Sequence, residues 1–280
     1  MSAHLLTGVR PYGEDAADIL LVDGAIAAVG PDAAALAPAD AVRHDLDGLI
    51  ALPGLVDIHT HLRQPGYEAS ETVETGTRAA ALGGYTAVFA MANSLPVADT
   101  AAVVEQVDRL GKESAWCRVQ PIGAVTVGLK GERLSDIGGM ANSTANVRVF
   151  SDDGMCVYDP AVMRRALEYV KTFDGVIAQH AQEPRLTEGA QMNEGKVSAD
   201  LGLTGWPAVA EEAIIARDVL LAEHLDSKLH ICHLSTKGSI EVVRWAKSRG
   251  VKVTAEATPH HLLLTDETAR TYDPIFKVNP

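Results

Sequence analysis

From Leu52 onward the chain repeats one pattern, an apolar run, a polar loop and an amphipathic stretch, and seven apolar runs occur before Pro280. The runs are 52–62, 85–92, 116–125, 146–150, 176–180, 228–234 and 252–257, short enough for buried strands. Helical stretches lie between them. One starts near Ser70 and stops at Gly83-Gly84, one is capped by Asp99, a short one covers 134–140, and one opens on Asp159-Pro160. Another opens on Pro207, and the last spans Lys237 to Ser248. Strands alternating with helices imply a parallel sheet, closed as a barrel or open and doubly wound. No Gly-x-Gly-x-x-Gly fingerprint follows any strand, and seven successive units favour the (β/α)8 TIM barrel. An eighth unit is absent from this sequence, so the barrel reads as incomplete and the chain as a fragment.

The first 52 residues differ. Ile19–Val22 and Ala25–Val29 are apolar runs around Asp23-Gly24, a strong hairpin signal. The expected organisation is therefore a β portion over 1–52, too small to hold its own core, and a barrel over 53–280.

Inside the first barrel strand, Asp57-Ile58-His59-Thr60-His61 puts two imidazoles on one face, because side chains two apart on a strand point the same way. A lone His-x-His is more often a polar pair on a half-exposed strand. Here the pair ends a strand that should be buried, where unpartnered imidazoles are costly. Further ligand-type residues stand at other strand ends: Ser151-Asp152-Asp153 after the fourth, His180 after the fifth and His233 after the sixth. In a barrel these ends meet at one mouth. Four His and one carboxylate are too many donors for one tetrahedral ion and suit two ions sharing a bridge. Such ions activate a bridging water and polarise a carbonyl, which is metal-assisted hydrolysis. Zinc suits imidazole best, with Co, Mn and Ni as alternatives.

Arg63 keeps the parity of the His pair and is suited to a substrate carboxylate, with a surface ion pair as the bland reading. Asn93, ending the second strand, could orient the same anion or cap a turn. His230 shares parity with Cys232 rather than His233 and reads as structural. His4, His44 and His224 read as surface residues, and His260-His261 as packing or substrate contact. Net charge of -13 and pI near 5.2, with no basic block, argue against nucleic acid or an anionic membrane surface as partner. Three scattered cysteines fit a reducing compartment, and with no signal-like N-terminus the expected location is the cytoplasm.

Taken together, Asp57-Ile58-His59-Thr60-His61-Leu62-Arg63-Gln64-Pro65-Gly66, Met91-Ala92-Asn93-Ser94, Asp152-Asp153-Gly154, His180, His230-Ile231-Cys232-His233-Leu234-Ser235-Thr236-Lys237-Gly238 and Thr258-Pro259-His260-His261-Leu262 occur in one order. In that order they resemble bacterial type I dihydroorotases of the amidohydrolase superfamily. The resemblance implies reversible cyclisation of N-carbamoyl-L-aspartate to L-dihydroorotate in pyrimidine biosynthesis, at a centre of two zinc ions. It implies that His59 and His61 hold one ion, His180 and His233 the other, and that Asp153 rather than Asp152 bridges them. Arg63, Asn93 and Asn279 become substrate contacts, and the N-terminal portion part of a β-sandwich. The family's general acid/base Asp is expected beyond Pro280. The implied partners are a second copy, as a homodimer, and an aspartate transcarbamoylase. Alternatives are another cyclic amidohydrolase, hydantoinase- or allantoinase-like, and a non-catalytic truncated barrel acting as a scaffold. Arg63 and the lack of a lysine after strand four speak against the former, the converging imidazoles against the latter.

Overall fold

The computed structural model describes residues 2–280, which fall into two compact units, one running to Leu55 and the other Val56–Pro280. In the first unit, β1 (Ala3–Pro11), β2 (Ala17–Val22), β3 (Ala25–Val29) and β4 (Val42–Asp45) form a sheet in the order β3-β2-β1-β4. A helical turn α1 (Ala33–Leu36) precedes β4, and the two-residue β5 (Ile50–Ala51) pairs with β1. The expected hairpin is β2–β3. Asp23 and Gly24 both take positive φ, 48° and 80°, as the tight turn matching strand twist requires. Leu5, Leu20 and Ala33 form a small buried cluster in this unit, with Val22, Ala28, Ala34 and Ala37 packed against it.

The second unit runs β6 (Leu55–Thr60), α2 (Val73–Leu82), β7 (Tyr85–Ala90), α3 (Ala101–Ser114), β8 (Arg118–Pro121), α4 (Ile137–Asn142), β9 (Val149–Phe150), α5 (Pro160–Val170) and β10 (Val176–Gln179). It continues through β11 (Met192–Asn193), α6 (Lys196–Leu201), β12 (Gly205–Trp206), α7 (Val209–Leu225), β13 (Leu229–Ile231), α8 (Lys237–Ser248), β14 (Val253–Ala255) and α9 (Pro259–Leu263). Strands β6-β7-β8 form one sheet and β9-β10-β13-β14 another. A parallel bridge between Gly123 and Phe150 continues the order from β8 to β9. The result is the expected succession of strands with helices between them. Ile177, Leu229 and Ile231 are fully buried with Met163 and Leu167 of α5 and Ile215 and Val219 of α7. Each such side chain contributes about 1.5–3 kcal/mol by leaving water.

Boundaries differ from the expected ones for identifiable reasons. Most strands end earlier than expected; β10 stops directly before His180 and β13 two residues before His233, so both histidines stand just outside the ladder. Helix α2 is capped by Thr72, not Ser70; Thr72 Oγ1 accepts from Thr75 N and the Thr75 hydroxyl accepts from Thr72 N. Asp99 does not cap α3, whose N-cap is Thr100; its carboxylate instead accepts from Gly128 N at 2.9 Å and anchors another loop. Asp159 does cap α5, accepting from Ala161 N and Val162 N. The pieces β11, β12 and α6 were too short for periodicity to reveal.

Candidate metal centre

Strand β6 delivers the first pair of imidazoles as alternation requires. Thr60 turns away and its hydroxyl donates to Phe89 O at 2.7 Å, while His59 and His61 both face Asp153. Asp153 stands in the loop after β9 and is buried. Its Oδ1 lies 3.4 Å from His59 Nε2, 3.5 Å from His180 Nδ1 and 3.1 Å from His233 Nε2, and its Oδ2 lies 3.3 Å from His61 Nε2. Four imidazoles from three parts of the chain thus converge on one carboxylate. His59, His61 and Asp153 form one potential ligand group, and Asp153, His180 and His233 another, sharing the carboxylate.

The donor set fits divalent ions. Ligands about 2.0–2.2 Å from a tetrahedral ion stand roughly 3.3–3.5 Å from each other, and the contacts to Asp153 span 3.1 to 3.5 Å. Asp152, the neighbouring carboxylate, is not in the cluster. It is buried and accepts from Val125 N, Thr126 N and the Thr126 hydroxyl, which makes it an anchor for the loop after β8. Burial pushes its carboxyl up to about 6 despite those bonds.

The electrostatics follow from crowding cations and anions out of water. Burial alone would raise Asp153, but hydrogen bonds from His180, His233 and His59 outweigh it and hold the carboxyl far below the usual carboxylate range. Burial would likewise depress His59, yet bonding to Asp153, Cys232 and Glu256 raises it to about 12. His61 and His233 go the other way, lowered chiefly by burial. The cluster therefore holds a proton on His59 that a cation at Nε2 must displace.

Three of the four rings are fixed from behind. His61 Nδ1 lies 3.0 Å from Asn93 Oδ1, so Asn93 orients a histidine; its Nδ2 is 3.5 Å from Asp153 O. His180 Nε2 lies 2.9 Å from Gln182 Oε1. His59 Nδ1 meets the Glu256 carboxylate just after β14. Sequence reasoning missed Gln182 and Glu256; the signal was their place, two residues past a ligand histidine and directly after a strand.

Arg63, two residues past His61, has φ of 60° and is exposed, and its guanidinium makes no ion pair among the described residues. Asn279 is exposed and is not hydrogen-bonded to the cluster. His230 is outside the cluster, as parity predicted; its Nδ1 lies 2.8 Å from Thr254 Oγ1 and its Nε2 3.3 Å from Glu256 Oε2. His4 and His44 face each other with ring nitrogens 3.1 Å apart. His261 Nε2 lies 3.0 Å from Pro280 O and its Nδ1 2.8 Å from the Thr258 hydroxyl, a packing role.

Parallel strands whose C-terminal ends gather four imidazoles round a buried carboxylate define an α/β barrel of the amidohydrolase type. The chain belongs to the dihydro-orotase-like family, whose model matches residues 48–239. It is 67% identical over 280 residues to a dihydroorotase of Streptomyces coelicolor, covering all of this chain and 65% of that protein. It is 54% identical over 277 residues to a dihydroorotase of Mycobacterium tuberculosis, covering 64% of that protein. The chain thus spans somewhat less than two thirds of the relatives it matches. Among solved structures it resembles an L-hydantoinase from Arthrobacter aurescens, with TM-score 0.81, 22% identity and coverage of 100% of this chain and 63% of the other, a likeness of fold. No helix among the described residues is long and apolar enough to cross a membrane.

Proposed function

We propose that this chain carries the metal-holding portion of a dihydroorotase, interconverting N-carbamoyl-L-aspartate and L-dihydroorotate in pyrimidine biosynthesis in the cytoplasm. The observation that carries the reading is the convergence of His59, His61, His180 and His233 on Asp153. In this reading His59 and His61 would hold one zinc ion and His180 and His233 a second, with Asp153 shared between the two ligand groups. Such ions would supply Lewis acidity at the site. The protein's residues do the rest. Arg63, without an ion pair among the described residues, takes the substrate carboxylate in a bidentate grip, and Asn93, fixed against His61, contacts the same group. Asn279 is assigned to the substrate as well, and the unit ending at Leu55 to the β-sandwich portion. The functional form is assigned as a homodimer able to associate with aspartate transcarbamoylase.

Arg63 separates this substrate from those of other cyclic amidohydrolases, since a neutral hydantoin or dihydrouracil offers it no carboxylate. The test compares hydrolysis of L-dihydroorotate with that of dihydrouracil and hydantoin by the zinc-loaded protein and by Arg63→Met. The reading expects turnover of dihydroorotate that falls on the order of 100-fold in kcat/KM in the variant, about the 1.5–3 kcal/mol of a charge-assisted hydrogen bond. Turnover of the neutral rings with none of dihydroorotate would refute it.

A further inference from the structure

Three of the four clustered imidazoles have their second nitrogen held, and the holders differ in charge. Asn93 behind His61 and Gln182 behind His180 are neutral amides, at 3.0 and 2.9 Å. Behind His59 stands a carboxylate, Glu256. His233 Nδ1 is buried and has no hydrogen-bond partner among the described residues. Glu256 is half-buried at the end of β14 and does more than back one ring. Its Oε1 also accepts from His233 N at 3.3 Å, at a residue whose φ is 34°, and its Oε2 lies 3.3 Å from His230 Nε2. One side chain from the seventh strand therefore ties the first-strand ligand to the backbone that carries the sixth-strand ligand.

We propose that Glu256 is a positioning residue that fixes the His59 tautomer and ring orientation, strengthens His59 Nε2 as a donor, and couples it to His233. The inference rests on the reading of the cluster as a metal centre. The physical basis is the carboxylate–histidine pair: Nδ1–H donated to an anion leaves Nε2 as the free lone pair and enriches it, whereas a neutral amide gives orientation without that enrichment. Only His59 has this arrangement, so the two halves of the centre differ in donor strength although their ligands are alike. Cys232 stands near the same carboxylate, and His59, Cys232 and Glu256 could together hold an ion of their own. Direct contact between His59 Nδ1 and Glu256 favours the hydrogen-bonded pair instead.

The variants Glu256→Gln and Glu256→Asp, with Cys232→Ser alongside, are compared in the whole chain. Zinc affinity is read by chelator competition, ion number by elemental analysis, and the His59 ring by nitrogen-15 NMR of the protein stripped of metal. The expected result is zinc binding weakened about 10–100-fold in Glu256→Gln, partly restored in Glu256→Asp, with wild-type affinity in Cys232→Ser. The far-downfield His59 Nδ1–H signal should vanish in Glu256→Gln. That signal needs no metal, so it tests the pairing even if the wild type takes up no zinc, an outcome that would count against the metal reading itself. Two results overturn the inference: an unchanged His59 signal and zinc affinity in Glu256→Gln, or loss of one same ion from both Glu256→Gln and Cys232→Ser, which makes Glu256 a ligand.

Discussion

Gln182 Oε1 lies 2.9 Å from His180 Nε2, which compels that ring to turn Nδ1 toward Asp153, the opposite choice from His59, His61 and His233. An oxygen acceptor there requires Nε2 to carry hydrogen, so the tautomer is set by a residue two positions along the chain. The amide is itself held, its Nε2 donating to the Thr187 hydroxyl at 2.8 Å. Gln182→Leu removes the acceptor at similar volume. Zinc affinity should fall about 10–100-fold with little change in melting temperature, and chelator competition beside a thermal melt reads both.

Asp153 is the shared point of both ligand groups. Asp153→Asn keeps the shape and removes the charge that balances four imidazoles. Both sites should weaken together, each by more than the roughly 100-fold upper range for outer partners. Stoichiometry by elemental analysis checks this, and retention of one ion at full affinity would contradict the bridging role.

Metal uptake should release protons. The raised His59, at about 12, belongs to the protein without metal, where Asp153 and Glu256 face an imidazolium. The unfolded ring titrates near 6.5. Because the folded value is raised, the His59 contribution to apo stability is complete below about 6.5 and is lost as pH rises toward 12. A cation competes with that proton, so zinc affinity should rise up to about tenfold per pH unit between 6 and 8. Calorimetry in two buffers of different ionisation enthalpy should give a net release near one proton from this ring.

Gly66→Ala tests the loop that presents Arg63. Gly66 has φ of 102°, and a Cβ there would stand 2.9 Å from Leu95 Cα and closer still to the Leu95 carbonyl. No flexible side chain can yield, so the backbone must move. We expect a loss of about 1–3 kcal/mol in urea unfolding and a raised KM through displaced Arg63, with zinc content unchanged.

The alternation of strands and helices and the strand-end histidines were legible because both are local: period and parity place His59 beside His61 and turn Thr60 away. Asp153 over Asp152 was not decided by spacing, since adjacent carboxylates in a loop have no period. The distinction appears only when Val125 N and Thr126 N are seen to occupy Asp152. Glu256 and Gln182 escaped for a related reason. Their role lies in what they touch across 197 and 2 positions of chain, and a polar residue in a loop carries no pattern that marks its partner. Asp99 looked like a cap from sequence, but a distant loop amide claimed it.

Asp218 lies outside the metal cluster, and its carboxyl sets a pH dependence of stability. Asp218 on α7 is fully buried, accepting from Arg217 Nε at 2.7 Å and from Gln179 Nε2 at 2.9 Å. Burial outweighs the pull of Arg217 and pushes it up to about 6. The unfolded chain titrates near 3.9. Between about 4 and 6 the folded state therefore binds the proton more tightly, and this group stabilises the fold progressively as pH falls through that window. Read upward, its ionisation costs the folded state about 3 kcal/mol by pH 7, two pH units at 1.36 each. Asp218→Asn keeps a carbonyl oxygen for Arg217 and cannot ionise. The stability difference between Asp218→Asn and the parent should shift in favour of the amide by up to that amount from pH 4 to pH 7, in parallel urea titrations. A difference that stays flat over this range would mean that Asp218 enters the fold as a carboxylate fully compensated by Arg217.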